Sequence, residues 1–413
     1  MTTTVVIVGG TDPFVRVGGH ETFVRAHAEA AVRAGFDTHV FYVTAADAPT
    51  RTEGWTAHAV RSPVRPLRTI MACAHAPFLS RAIERFLACT SGPVVLHAFS
   101  DWACVAARVT RWLERRGRRV VPVASAYTTL THEVRSKLAS VRAHHGAGAR
   151  LRALIEYCWV RAVAARAERA GYEAMALVLV NYDSVERLLR EEHALTVPIR
   201  RVPYAPLTAF ADDAGAARPR ALPPGAMPAL QPAGAPLIVA VSRQDPRKGI
   251  DRLLRALALL HADGVPFRAC LVGGGPLLAT HRALSARLGL ERCTWLPGWV
   301  GDAFPYLRAA DIFVLPSLEE GSGSVSLLEA MQAGCAIVAT RIDGIPEDVT
   351  DGVDGLLVAP DDPRALRDAL ARLLADGALR ARLGGAARAT FQRRFSAETL
   401  VATMRALYGE VAR

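Results

Sequence analysis

Lys248 sits in the loop Ser242-Arg243-Gln244-Asp245-Pro246-Arg247-Lys248-Gly249, and with Lys137 it is one of two lysines in a chain holding 50 lysines and arginines. Arginine serves the other basic positions. A lysine kept in that background marks a site suited to a compact ammonium with three rotatable donors, such as a phosphate held as a point charge. A chance lysine in a solvated turn is the plainer alternative. Arg243, in the same loop, would add a forked cation.

Three further loops carry residues of the same kind. Gly273-Gly274-Gly275-Pro276 offers backbone without side chains, for close approach of a ligand or simply for a structural turn. Gly298-Trp299-Val300-Gly301-Asp302 offers an aromatic surface. The segment from Pro316 to Met331 is the most informative, because Gly321, Ser322, Gly323 and Ser324 precede Val325 and a helical run. Backbone N–H groups and a helix N-terminus can converge there on an anion. Glu329, about one turn into that helix, would repel a bare phosphate but suits a diol beside one. Glu320, in the loop, could accept from hydroxyls. The plainer readings are a favourable first-turn charge for Glu329 and a solvated acid for Glu320.

Parallel strands must position these loops. In the second half, apolar runs at Leu237–Val241, Ala269–Val272, Ile312–Leu315, Ala336–Ala339 and Gly355–Val358 alternate with helix-length segments, and every loop above follows such a run. That alternation predicts a doubly wound parallel sheet with its ligand at the carboxyl ends of the strands. The first half reads alike: strands at Thr4–Gly9, Thr38–Val43, Val94–Phe99, Val120–Ala124 and Leu177–Asn181, with a helix from about Gly19 to Ala34. An Ala/Pro/Gly-rich stretch at 206–236 reads as a linker. The expected domains are therefore 1–205 and 237–395, with a helix at about 396–413 packing back on the first. Two Rossmann-like α/β domains on one linker imply a cleft between them.

Composition narrows the partners. Half the residues are apolar and the net charge is +11, so the chain is globular and suited to anionic partners. The arginines are dispersed, with no aromatic-interleaved cluster of the kind that reads nucleic acid. Seven scattered cysteines with no CxxC pair argue against a disulfide framework or a zinc site and for a reducing cytoplasm. The amino terminus lacks the basic region of a signal peptide, and no apolar run approaches the ~20 residues of a membrane span. The Arg/Ala/Leu-rich segment Ser136–Arg169, broken near His144–Gly148, could rest on an anionic membrane, although a solvated basic face is the favoured reading.

Taken in order, the motifs resemble the GT4 family of retaining glycosyltransferases of the GT-B fold. Gly18-Gly19-His20-Glu21 is similar to the family's amino-terminal GG-x-E loop, and Arg243 through Gly249 to its diphosphate-binding Arg and Lys. Leu271–Pro276, Leu296–Val300 and Ala310–Ser317 resemble its following segments, and Glu320-Gly321 with Leu328–Met331 the two ends of its E-x7-E signature. The resemblance implies two Rossmann-like domains facing each other across a cleft, a nucleoside diphosphate sugar donor, UDP first, and a hydroxyl acceptor. It assigns the diphosphate to Arg243 and Lys248, with Gly18, Gly19, Gly273, Gly274 and Gly321–Val325 around the donor. Ribose falls to Glu329, the donor sugar to Glu320 and the base to Trp299 and Val300.

Here the Glu320-to-Glu329 interval is one residue longer than usual, which leaves Glu319 as an alternative partner. Phe99 replaces the second histidine of the family's His-x-His, while His97 keeps the first, a sugar contact. His20 occupies the region where related inverting enzymes hold a general base. No DxD pair lies in a donor loop, so no metal is expected, and no other cofactor. The acceptor is expected near Gly18–Glu21, Phe99–Trp102 and Ala126–Thr129, as a small polar natural product, a sugar or a glycolipid. A nucleotide-sugar epimerase and a non-catalytic nucleotide-binding regulator are the rival readings.

Overall fold

The structure is a computed structural model that describes residues 3–14, 18–44, 51–52, 54–64, 71–144, 147–211 and 227–412. The core of the expected linker, including Asp212 and Asp213, lies outside the described residues, as do His145 and Gly146. The chain divides into two compact units, Met1–Phe210 with Ala397–Arg413, and Ala211–Ser396.

The first unit is built on β1 (Thr4–Gly10), β2 (Asp37–Thr44), β3 (Arg51–Thr52), β4 (Thr56–Arg61), β5 (Val94–Phe99), β6 (Val120–Ala126), β7 (Leu177–Val180) and β8 (Ile199–Arg201). They form one sheet in the order β3-β4-β2-β1-β5-β6-β7-β8, parallel except for β3 against β4. The central strands β1 and β5 are buried along their whole length, as apolar runs covered by helices on both faces require. The edge strands β3 and β8 are short, and neither they nor β4, next to β3, carry such a run. The helix Ala397–Ala412 belongs to this unit, where Tyr408 is fully buried. So does the turn Leu207–Phe210, which lies within the stretch read as linker: Arg33 donates to the Phe210 carbonyl at 2.8 Å.

The second unit carries β9 (Leu237–Val241), β10 (Arg268–Val272), β11 (Thr294–Gly298), β12 (Ile312–Leu315), β13 (Ala336–Thr340) and β14 (Leu356–Val358). Their order is β11-β10-β9-β12-β13-β14, with every pair parallel. Its core packs Ile238, Leu253, Leu271, Val314 and Val338 between sheet and helices. Each sheet reverses its winding once, between β1 and β5 in the first unit and between β9 and β12 in the second. Loops leaving adjacent strands there diverge to opposite faces and open a crevice at the carboxyl ends, where such sheets take ligands. Among the described residues, no helix is long and apolar enough to cross a membrane.

Candidate active site

In the second unit the winding reversal brings together the two loops that the sequence singled out. The loop after β9 turns through Pro246–Lys248, capped by Asp245, whose carboxylate accepts from the Arg247 N–H at 3.0 Å. Gly249 then takes φ 59°, and a Cβ there would stand 2.0 Å from the Pro316 carbonyl oxygen, so only glycine lets the loop press against the one after β12. Leu318 and Glu319 both donate their N–H to the Arg247 carbonyl, at 2.6 and 3.2 Å.

This seam places Lys248 Nζ 2.6 Å from Glu320 Oε2, with side chains 18% and 5% exposed. Ser317 Oγ donates to the other carboxylate oxygen at 2.5 Å. The ammonium is thus held in one place by a largely buried carboxylate that is itself fixed, which removes much of the freedom of a long side chain. Of the two adjacent acids, Glu320 is the one that reaches Lys248. Arg243 is exposed at the start of the same loop.

The glycines prove to be mainly architectural. Gly273 has φ 137°, and a Cβ there would lie 1.9 Å from the Ser242 carbonyl oxygen. Its N–H is spent on the Gly298 carbonyl at 2.9 Å, and Gln244 N–H donates to the Gly274 carbonyl at 2.9 Å. The structural-turn alternative therefore describes Gly273, whose N–H is not left for a ligand. Gly321 is corrected in the same way. Its N–H and that of Glu320 both donate to Asp343 Oδ2, at 2.9 and 2.7 Å, so both are spent on the chain's own carboxylate and not left for a ligand.

The helix Val325–Ala333 begins from an extended Ser324 with no side-chain cap, while Ser324 Oγ pairs with Ser326 Oγ at 3.0 Å. Its first turn follows Gly323 and Ser324, where the sequence predicts that an anion is met. Ser322 turns its carbonyl toward the Gly344 N–H. Glu329 is half-buried one turn in. Trp299 is 68% exposed beyond β11, with Val300 half-buried beside it, and Arg282 pins that loop through the Leu296 and Pro297 carbonyls.

Sequence reasoning missed Asp343, Ser317 and Gln244. Asp343 adopts φ 44° to present its carboxylate, and nothing in the local sequence signals that. Gln244 is fully buried, and its Oε1 accepts from His281 Nδ1–H at 2.7 Å, joining the first loop to the helix Leu278–Arg287.

The first unit departs more from expectation. His97 is fully buried: Nδ1 lies 2.6 Å from Tyr408 Oη and Nε2 2.7 Å from Ser125 Oγ. Both ring nitrogens are used, so the expected sugar contact through His97 is withdrawn. Burial, and then the neighbouring His27, hold its pKa well below the usual histidine value, keeping the ring neutral. Phe99 and Trp102, read as acceptor-loop residues, are also core. Phe99 stacks on His97 with centroids 4.8 Å apart, and Trp102 is 3% exposed. His20 is half-buried with Nε2 2.6 Å from the Gly9 carbonyl, which leaves Nδ1 as its other ring nitrogen. Gly18 and Gly19 are exposed at the start of the helix Gly19–Arg33.

Two parallel-sheet, Rossmann-like units, the second with a cationic loop facing an uncapped helix start at its winding reversal, define the fold of the GT-B glycosyltransferases. Residues 235–376, which lie within the second unit, match the model of the family described as Glycosyl transferases group 1. The chain is similar to a GDP-mannose-dependent alpha-(1-6)-phosphatidylinositol monomannoside mannosyltransferase of Mycolicibacterium smegmatis, 37% identical over 161 residues, 37% of this chain and 42% of that protein. It is also similar to a D-inositol 3-phosphate glycosyltransferase of Salinispora tropica, 37% identical over 185 residues, 42% of this chain and 38% of that protein.

The matched stretches thus span less than half the length of these curated relatives. Among solved structures, a sucrose-phosphate synthase from Thermosynechococcus elongatus matches with a TM-score of 0.73 at 25% identity, covering 100% of this chain and 99% of that one. Anabaena HepE in complex with UDP matches with a TM-score of 0.64 at 17% identity, covering 99% and 100%, a likeness of fold.

Proposed function

We propose that the chain is a glycosyltransferase that moves a sugar, with retention of anomeric configuration and without a metal ion, from a nucleoside diphosphate sugar to a hydroxyl acceptor. The observation that carries this reading is the Lys248–Glu320 pair at the winding reversal, beside the start of the helix Val325–Ala333. The donor diphosphate would take Lys248 and Arg243 as fixed cations and the first helical turn as donors. Negative charge growing on the departing phosphate is then met by groups already in place. Glu329 would accept from the ribose hydroxyls, and Trp299 and Val300 would flank the base. Glu320, its other lone pairs shared with Ser317, would accept from a donor-sugar hydroxyl.

In the transfer the bond from the anomeric carbon to the diphosphate oxygen breaks and a bond to the acceptor oxygen forms on the same face. The departing phosphate oxygen takes the acceptor proton. UDP and GDP are the candidate nucleotides, because the similar proteins are named for GDP-mannose and for a UDP complex. The acceptor reading is a polyol, sugar or glycolipid hydroxyl, in line with the phosphatidylinositol mannoside and inositol phosphate in the relatives' names.

Incubation with UDP-glucose or GDP-mannose and inositol, inositol phosphate or a glycolipid acceptor tests this, reading product mass and anomeric configuration. A glycoside of retained configuration is expected. Donor epimerised without acceptor would return the epimerase reading, and nucleotide binding with no product from any pair would return the regulator reading.

A further inference from the structure

The helix Ala147–Trp159, continued by the π-helical turn Val160–Ala164, is apolar on two opposite faces. Its inner face is ordinary: Val160 and Ala164 pack on Val134 of the helix Leu130–His144, and Ala153 is buried. Its outer face is not. Leu151, Leu154 and Ile155 are 59%, 41% and 60% exposed, and the exposed Cys158 continues them. Spacing of three, four and seven residues puts them on one stripe roughly 100° wide, turned about half a revolution from Val160 and Ala153.

Of the seven exposed large hydrophobics among the described residues, Leu151, Leu154, Ile155 and Val163 lie on this one segment. Single exposed apolar residues are ordinary, but a contiguous stripe marks a contact surface.

Charge decides what it contacts. Arg150 and Arg161 border the stripe on one side and Arg152 on the other, all three exposed. Glu156 is the one acid between 147 and 164. It sits off the stripe, toward the packed face, and is tied to Lys137 of the neighbouring helix. A second copy of the chain laid on this face would set arginine against arginine, in a protein of net charge +11. An anionic lipid surface meets both requirements, since the apolar stripe enters the headgroup boundary while guanidinium groups reach up to lipid phosphates.

We propose that the helix Ala147–Trp159 is an interfacial anchor that lays its Leu151–Leu154–Ile155 face into an anionic bilayer surface, with Arg150, Arg152 and Arg161 at the phosphates. The proposal does not depend on the glycosyl-transfer reading, and its test reads no activity.

The full chain is co-sedimented with vesicles of phosphatidylglycerol and phosphatidylcholine, and with vesicles of phosphatidylcholine alone. Binding to the anionic vesicles is expected, at least about tenfold weaker for the double variant Leu151→Asp/Ile155→Asp and weaker for Arg150→Gln/Arg152→Gln/Arg161→Gln. Circular dichroism and Tm are checked to match wild type; a double variant that unfolds is replaced by Leu151→Ser/Ile155→Ser. Equal vesicle binding by wild type and folded variants would overturn the proposal. So would absence of vesicle binding together with a wild-type dimer, in analytical ultracentrifugation, that the double variant loses.

Discussion

The two sheets reverse their winding at equivalent places, and the crevices so formed hold opposite things. In the first unit the reversal between β1 and β5 is occupied by an indole: Gly10, at φ 76°, would bring a Cβ within 1.9 Å of the Trp102 ring. The polar residues beneath are inward and neutral, with His97 held between Tyr408 and Ser125. In the second unit the reversal between β9 and β12 carries an ion pair, an exposed arginine and a helix start without a side-chain cap. The same topology thus yields a filled crevice and a charged one. What separates them is a single large side chain in one loop and a single lysine in the other.

Substitutions on the two sides should separate stability from chemistry. Gly10→Ala is expected to have the largest effect, at least about 3 kcal/mol of stability, from the left-handed backbone and the collision with Trp102. A Tm close to wild type would mean that the indole does not fill the crevice. Lys248→Ala should lose at least about 2 kcal/mol of transition-state stabilisation, roughly thirtyfold in kcat/KM. Unaltered kcat/KM would remove Lys248 from the mechanism. Lys248→Arg should follow at about tenfold, because a planar fork cannot occupy the position of the ammonium against Glu320.

A smaller effect concerns pH. Burial, then the charges of Glu168 and Cys73, push Asp101, in the turn after β5, up to about 7. A carboxyl raised on folding contributes stability that is present at low pH and is lost as pH rises through the folded value. Asp101→Asn should therefore raise Tm by a few degrees above about pH 7, and the gain should vanish toward about pH 4. A gain independent of pH would rule out the buried charge as its cause. Lys137→Ala should do least, under about 0.5 kcal/mol on stability and nothing on turnover.

That last contrast shows how far the sequence could be read. Both lysines pair with a glutamate, Lys248 with Glu320 and Lys137 with Glu156. Scarcity alone therefore did not mark the site; position after a central parallel strand did. The strands Val94–Phe99, Leu237–Val241 and Ile312–Leu315 were legible to the residue, because they are unbroken apolar runs in sheet centres. Thr56–Arg61 and Ile199–Arg201 were not, since strands at or next to a sheet edge, with polar residues along them, lack that signal.

His97 looked available because a histidine in a strand has the same local sequence whether its ring faces solvent or Tyr408, 311 residues away. Asp343 was invisible for a related reason: its role depends on a backbone turn and on partners 22 and 23 residues earlier.

The most direct measurement of the central claim is a calorimetric titration of UDP and of GDP into the wild-type chain and into Lys248→Ala, both with a chelator present. One nucleotide should saturate the wild type despite the chelator, and the variant should bind it at least about tenfold more weakly. Equal affinity in the two proteins, binding that needs a divalent metal, or no binding of either nucleotide would contradict the account.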